Sequence, residues 1–149
     1  MAFHGILNCY RKPDHWFGGV TCTNGAGSAR NGRYASYTDE QMQSVRVEEQ
    51  DAAAVVGGYG IMIQLGYSSA EVKSPSETCL QQDLFDILRL TQPEIVYTHN
   101  PADKHDTHIG VVVAALQAEN RFEVVALSRE DCRRRFRVEA LASSAALPR

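Results

Sequence analysis

The sequence predicts an α/β fold, in which a parallel sheet is covered by helices on both faces. Short runs rich in β-branched and aromatic residues, such as residues 95–98, alternate with stretches whose apolar residues recur at helical spacing. Capping motifs precede two of those helical stretches. Strands that alternate with helices favour a parallel sheet, and 149 residues suit a single domain with a sizeable core.

The first half of the chain is predicted to hold one long helix between two strands. Thr38 and Gln41 form a capping box for this helix, which runs through about Val56 and ends at Gly57. The elements around it, in chain order, are a helix end over 1–10, a strand over 17–23, a Gly-rich loop over 24–28 and a strand over 61–65.

The second half begins with a helix that a second capping box, Ser74 to Glu77, is predicted to open. The spacing of its apolar residues predicts a buried face made of Leu80, Leu84, Ile87 and Leu88. A strand over residues 95–98 follows, and another helix begins near Asp106. The apolar stripe of that helix is Ile109, Val112, Val113 and Leu116.

The C-terminal region is predicted to contain one more strand, over residues 122–127. Ser128 is in position to cap a last helix. Residues 128–149 are rich first in arginine and then in alanine, so they predict a tail that is either helical or disordered. The predicted domain therefore spans residues 1–127.

Composition narrows the function classes. With 44% apolar residues, 22% charged residues and a net charge of −3, the chain shows no basic patch typical of nucleic-acid binding. No run is long enough to span a membrane, and the first residues lack the pattern of a signal peptide. The four cysteines are scattered without a CxxC motif, which favours reduced thiols and a cytoplasmic location.

The loop between the strand over residues 95–98 and the next helix carries His99, Asp103, His105, Asp106 and His108. Ligand sites of open α/β sheets lie where strands lead into helices. His105 and His108 are three residues apart, so a helix start brings both imidazoles to one side. Zinc binds imidazole, and an aspartate can orient a ligating ring. The same pattern also fits a polar helix cap with two exposed histidines, and His99 alone is more typical of a loop.

Two further features are compatible with ligand binding. The loop over residues 24–28, NGAGS, can cradle an anion with backbone N–H groups, although a plain turn explains it equally. Arg46 lies beside the apolar stripe of the long helix and can reach into a cleft, but an arginine with Glu49 three residues on is also typical of a solvated pair.

These pieces together resemble the PIG-L/LmbE-like family of zinc-dependent N-deacetylases. The likeness covers residues 3–118 and is most specific at residues 101–108, PADKHDTH, with weaker matches at residues 21–25, TCTNG, and at the R-x-x-E-x-x-x-A run that starts at Arg46. It implies a Rossmann-like three-layer sandwich and a Zn²⁺ cofactor, and its substrate would be an N-acetylated amino sugar. By resemblance His108 is a zinc ligand and His105 steadies the oxyanion. Asp103 is grouped with the catalytic residues, and Arg46 and Asn24 contact the substrate.

The chain departs from that family at its beginning. The family opens with a His-Pro-Asp-Asp-Glu motif just after its first strand, which supplies two zinc ligands and the general base. No such motif occurs here. We therefore expect the first strand to be missing from an incomplete domain, weak zinc binding, and no deacetylation by this chain alone. The alternatives are a non-catalytic α/β sugar-binding module or an inactive fragment, and the oligomeric state is not predicted.

Overall fold

A computed structural model describes residues 2–74, 76, 78–120 and 136–139 of the chain. Six helical segments and three strands occur in these residues. In chain order they are α1 (Ala2–Cys9), β1 (Gly18–Thr23), a 3₁₀ turn (Gly32–Tyr34), α2 (Asp39–Gly57), β2 (Ile61–Tyr67), α3 (Ser69–Lys73), α4 (Cys79–Thr91), α5 (Asp106–Asn120) and β3 (Phe136–Glu139). The mixture of helices and strands confirms the predicted α/β class.

The sheet has the order β1-β2-β3, with β2 in the middle. The β1–β2 pair is parallel, with Val20 opposite Ile63, whereas β3 runs antiparallel to β2, with Val138 opposite Ile63. The β1–β2 pair has the parallel direction that the alternation of strands and helices favours. The antiparallel β3 was not expected, because residues 136–139 fall in the tail that was predicted to be helical or disordered.

Helices cover both faces of the sheet in the described part of the chain. On one face, Gln64 of β2 donates a hydrogen bond to Asp51 of α2 at 2.7 Å. The other face carries the hydrophobic core, where the strands pack against α3, α4 and α5. The buried members of this core are Cys22, Ile63, Leu65, Tyr67, Val72, Leu80, Leu84, Ala114 and Ala118. The described part of the chain therefore has three layers, in which the sheet lies between α2 and the group of α3, α4 and α5.

The long helix α2 forms where its capping signals predicted. The Thr38 hydroxyl accepts a hydrogen bond from the Gln41 backbone N–H at 3.3 Å, and the Gln41 side chain accepts one from the Thr38 N–H at 2.9 Å. Gly58 ends the helix in the left-handed region at φ 63°, a conformation that glycine adopts without steric cost. These local contacts fix the register of α2, including the positions of Arg46 and Glu49.

The second capping box lies elsewhere than predicted. Ser68 and Glu71 make it, at the start of the short helix α3. Helix α4 begins at Cys79 after Thr78, whose side chain makes no capping hydrogen bond. Thr78 has helical backbone angles, φ −95° and ψ −19°, whereas a capping side chain needs the extended conformation that Ser68 has. The predicted motif at Ser74 therefore does not open α4.

Residues 95–98 do not form the predicted strand. Ile95 and Val96 are 61% and 53% exposed. A strand exists only when a neighbouring strand satisfies its backbone groups, and no described strand lies beside this segment. Despite their β-rich composition, residues 95–98 therefore form an irregular connection between α4 and the loop that begins at His99.

Helix α5 packs through a different stripe from the predicted one. Val112 is buried as expected, but Val113 and Leu116 are about half exposed. Its close contact is made at Gly110, where an added Cβ would lie 2.3 Å from the carbonyl oxygen of Val72 in α3. The small residues of α5 allow this approach, so they, rather than the branched residues, decide which face is buried.

The remaining predictions concern the C-terminal region, the cysteines and membrane-spanning helices. The strand over residues 122–127 and the helix from Ser128 lie outside the described residues, and the domain boundary at 127 stays a prediction. Cys79 takes part in a disulfide, so the expectation of reduced thiols is wrong for this residue, whereas Cys9 and Cys22 are free. Among the described helices, none is long and apolar enough to cross a membrane.

Candidate metal centre

The loop that follows residues 95–98 is folded by its own polar side chains. Asn100 accepts a hydrogen bond from the Ala102 N–H at 2.9 Å through its side chain, and one from the Asp103 N–H at 2.9 Å through its carbonyl. Asp103 in turn accepts a hydrogen bond from the His105 N–H at 2.9 Å. These turns reverse the direction of the chain and lead into the start of α5. His99 and His108, at the two ends of the loop, are thereby brought face to face.

We use "metal cluster" for His99, Asp103 and His108. A nitrogen of each histidine and a carboxylate oxygen of Asp103 all lie within 4.8 Å of one another. The rings of His99 and His108 stack in parallel, with centroids 4.0 Å apart. His105 stacks on the other side of His108, with centroids 4.5 Å apart. The prediction that His105 and His108 lie on the same side of the helix start is confirmed.

Asp103 and His108 form the polar contact that organises the cluster. Oδ2 of Asp103 lies 3.0 Å from Nδ1 of His108. The hydrogen bond to His108, followed by the one from the His105 backbone, lowers the pKa of the Asp103 carboxyl below its usual range. The carboxylate is therefore ionised near neutral pH and accepts the proton carried by Nδ1. In that arrangement Nε2 is the nitrogen of His108 that remains for a ligand.

His99 is also held in the form that binds metals. Burial, and then the neighbouring His108, lower the pKa of His99 below its usual range. The ring is therefore neutral at physiological pH, as metal coordination requires. In the part of the chain that the structure describes, no hydrogen bond to the His99 ring is present that would oppose its rotation.

The donor set suits a divalent metal such as zinc, which binds imidazole nitrogen and carboxylate oxygen. The contact of 3.0 Å between Asp103 and His108 involves Nδ1, so Nε2 of His108 is the ring nitrogen that remains for an ion. The parallel rings of His99 and His108 must tilt towards a shared ion. The residues present therefore fit a metal once these half-buried side chains rotate.

His99 is the site residue that the sequence did not single out. Taken alone it is typical of a loop histidine, and its place beside His108 depends on how residues 100–104 fold back. The available signal was Asn100-Pro101, a turn pair directly after His99. Asp106, in contrast, is exposed in the first turn of α5 and lies outside the metal cluster.

A groove of about 810 Å³ extends from the metal cluster along the sheet. Val20 of β1, residues 95–98, and His99 with His108 line parts of it. The hydroxyl oxygen of Thr98 is buried at its wall without a hydrogen-bond partner. Since β1 pairs only with β2 among the described strands, the groove lies along a free edge of the sheet.

A second cavity of about 320 Å³ lies at the C-terminal end of β1 and holds the predicted substrate residues. We call it the polar cavity because most of the residues that line it have polar side chains. Arg46 donates a hydrogen bond from Nε to the Ser28 hydroxyl at 2.9 Å and pairs with Glu49 through Nη1. Gly25, at φ 75°, packs so closely that an added Cβ would lie 2.5 Å from Cγ of Arg46. The side chain of Asn24 accepts a hydrogen bond from the Ala26 N–H at 3.1 Å, so it stabilises the loop itself.

Comparison with protein-family models finds a match over residues 1–119 to PIG-L, the family described as GlcNAc-PI de-N-acetylase. The matched region contains both the metal cluster and the polar cavity. Searches of curated proteins and of solved structures find no match.

Proposed function

This chain belongs to the PIG-L family, and from that membership we propose that it carries part of a zinc-dependent N-deacetylase site. The reaction is hydrolysis of the N-acetyl group of an N-acetylglucosamine-type conjugate. The observation that carries this proposal is the grouping of His99, Asp103 and His108 within 4.8 Å inside the matched region.

His108 is the proposed metal ligand, through Nε2, and Asp103 orients its ring through the hydrogen bond to Nδ1. The contact with His99 supports a second imidazole ligand. Zinc, when bound, polarises the amide carbonyl and lowers the pKa of a coordinated water. The chain's own residues hold the two imidazoles side by side at the start of α5, and Asp103 fixes which nitrogen of His108 remains for a ligand.

His105 is proposed to stabilise the oxyanion. It is exposed beside His108, its ring stacks on that side chain, and it is free to donate a hydrogen bond from its protonated form to negative charge that develops on the carbonyl oxygen. We expect the general base to be an aspartate of a His-Pro-Asp-Asp-Glu segment, because both oxygens of Asp103 already accept hydrogen bonds.

The experiment joins such a segment upstream of residue 1 and measures acetate release from N-acetylglucosamine conjugates with zinc. His105→Ala should lower turnover by about 10²–10³-fold with zinc retained, the usual scale for losing one oxyanion stabiliser. His108→Ala should remove zinc and activity together. His4→Ala, a substitution of an exposed histidine in α1, is the matched control and should leave both unchanged. Full turnover in His105→Ala would refute the role given to His105.

A sugar-binding module without catalysis is the second candidate, and the polar cavity favours it. That cavity offers hydroxyl and amide groups at a place where none of the metal-cluster residues lies. A chain with the joined segment that binds N-acetylglucosamine and zinc, yet releases no acetate, would support this alternative over the enzyme.

A further inference from the structure

Helix α1 presents its large apolar side chains to solvent. Phe3, Leu7 and Tyr10 are 64%, 51% and 61% exposed, and their spacing of four and three residues places them along one side of the helix. We propose that this stripe, together with Arg11 and Lys12, is a docking surface for a membrane that contains anionic phospholipids. We call these five residues the α1 surface. The proposal concerns a binding partner and does not depend on the proposed deacetylation.

The opposite side of α1 is the one that packs against the rest of the chain. Gly5 lies so close to Phe17 that an added Cβ would be 2.4 Å from its ring, and the side chain of Asn8 donates a hydrogen bond to the Tyr97 hydroxyl at 2.6 Å. Gly5, Asn8 and Cys9 also line the groove, whereas none of the stripe residues does. Because a helix turns about 100° per residue, positions 3 and 7 lie on the side away from Gly5.

This orientation reverses the usual one. A helix on the surface of a globular protein normally turns its large apolar side chains inwards and its small or polar ones outwards. Helix α1 packs through a glycine and an asparagine and leaves a phenylalanine and a leucine in solvent. A contiguous exposed apolar stripe next to charged residues is typical of a surface that binds a membrane or another protein.

Charge indicates an anionic membrane. Residues 2–13 contain no acidic residue, although the chain as a whole has a net charge of −3. Arg11 and Lys12 are exposed directly after α1, and the guanidinium of Arg11 lies over the ring of Tyr10, 5.1 Å from its centre. Asp14, the first acidic residue, lines the groove instead. Aromatic and aliphatic side chains flanked by cations bind the headgroup region of membranes that carry negative charge.

A membrane suits the α1 surface better than a second copy of the chain does. A helix of 8 residues is about 12 Å long. Three side chains along it cover far less than the area of about 800 Å² per partner that a stable protein interface buries. Residues 2–13 of a second copy would also bring cations but no carboxylate to pair with Arg11 and Lys12. Phospholipid headgroups supply that negative charge, and a few inserted side chains are sufficient for reversible binding to lipid.

Vesicle flotation of the 149-residue chain tests the apolar part of the α1 surface. The chain should bind vesicles of phosphatidylcholine mixed with phosphatidylserine about tenfold more tightly than vesicles of phosphatidylcholine alone. Leu7→Ser should weaken binding to the mixed vesicles by about tenfold, since it removes an inserted apolar side chain. Leu116→Ser is the matched control, because Leu116 of α5 is 49% exposed, and it should bind as the wild type does.

The cationic part is tested with double variants. Arg11→Gln combined with Lys12→Gln should abolish the preference for phosphatidylserine. Lys73→Gln combined with Lys104→Gln removes the same charge from exposed positions outside the α1 surface, and it should keep that preference. Added salt should weaken binding of the wild-type chain to the mixed vesicles, because it screens exposed charges.

Each opposite result overturns the proposal. A wild-type chain that binds neither kind of vesicle, or both equally, has no surface for anionic membranes. Equal effects of the two leucine substitutions, or of the two double variants, place the contact elsewhere. Self-association in analytical ultracentrifugation that Leu7→Ser abolishes, without vesicle binding, assigns the stripe to a second copy. None of these measurements involves acetate release, so their failure is separate from failure of the proposed function.

Discussion

Asp103 connects the loop to the metal cluster, because each of its carboxylate oxygens accepts a different hydrogen bond. One bond, from the His105 N–H, caps the approach to α5, and the other holds His108. The residue therefore sets both the path of the backbone and the orientation of a proposed ligand. Substitution by asparagine keeps the size of the side chain but removes the charge that holds the proton on Nδ1.

Asp103→Asn is expected to weaken zinc binding by about 10–100-fold, the usual effect of losing a carboxylate that orients a ligating histidine. Calorimetric titration with zinc measures it. Asp106→Asn removes a carboxylate three residues later that lies outside the metal cluster, and it should bind zinc as the wild type does. Equal loss in both variants would show that only net charge matters.

Cys22 supplies a pH-dependent prediction. Its thiol lies in the core, and burial raises its pKa to about 12. A thiol reacts as the thiolate, so at pH 8 Cys22 should resist iodoacetamide while half-buried Cys9 reacts. Because the folded pKa is raised above the ordinary value of 9.0, unfolding releases a proton above that pH, and stability should fall as pH rises further. Mass spectrometry of the labelled chain checks the first part. Rapid native labelling of Cys22 would contradict it.

At the scale of elements, the helix-to-helix contacts of α5 depend on close approach. The Cα of Gly110 faces the backbone of α3, and backbone cannot move aside as a flexible side chain can. A methyl group at this position should separate α5 from α3. Since the metal cluster is attached to the first turn of α5, the displacement would reach His108.

Gly110→Ala should therefore lower the free energy of unfolding by about 1–3 kcal/mol, the usual cost of overpacking. Urea denaturation measures the change. Gly27→Ala is the control, because an added Cβ there meets nothing within 4 Å. Unchanged stability in Gly110→Ala would mean that α3 and α5 are less tightly packed than the structure has them.

The features that the sequence predicted correctly are those determined by contacts between residues close together in the chain. Helix α2 was predicted almost to the residue because Thr38, Gln41 and Gly58 define its ends through contacts within a few residues. The prediction of a strand over residues 95–98 was wrong, because a strand requires a neighbouring strand that its own residues do not specify. In the site, the spacing of His105 and His108 was sufficient, whereas His99 joined them through turns in the loop that depend on Asn100 and Asp103.

At the scale of the whole molecule, the sheet is paired unevenly. Among the described strands, β2 has a neighbour on each side and β1 has one, and residues 95–98 lie outside every strand pair. β1 and residues 95–98 line the same groove. A strand placed in that groove would give both segments a backbone partner.

Hydrogen exchange of the 149-residue chain should show this unevenness. We expect the amides of residues 95–98 to exchange fast and those of residues 62–64, paired on both sides, to exchange slowly, since protection follows the stability of local hydrogen bonding. Joining the His-Pro-Asp-Asp-Glu segment with its preceding strand should then slow exchange at residues 95–98, while residues 62–64 serve as the internal reference. The physical reason is that the added strand would pair backbone groups that water now satisfies. If residues 95–98 are already protected as strongly as residues 62–64 in the chain alone, or if the joined strand leaves them fast, the groove is not where the added strand pairs.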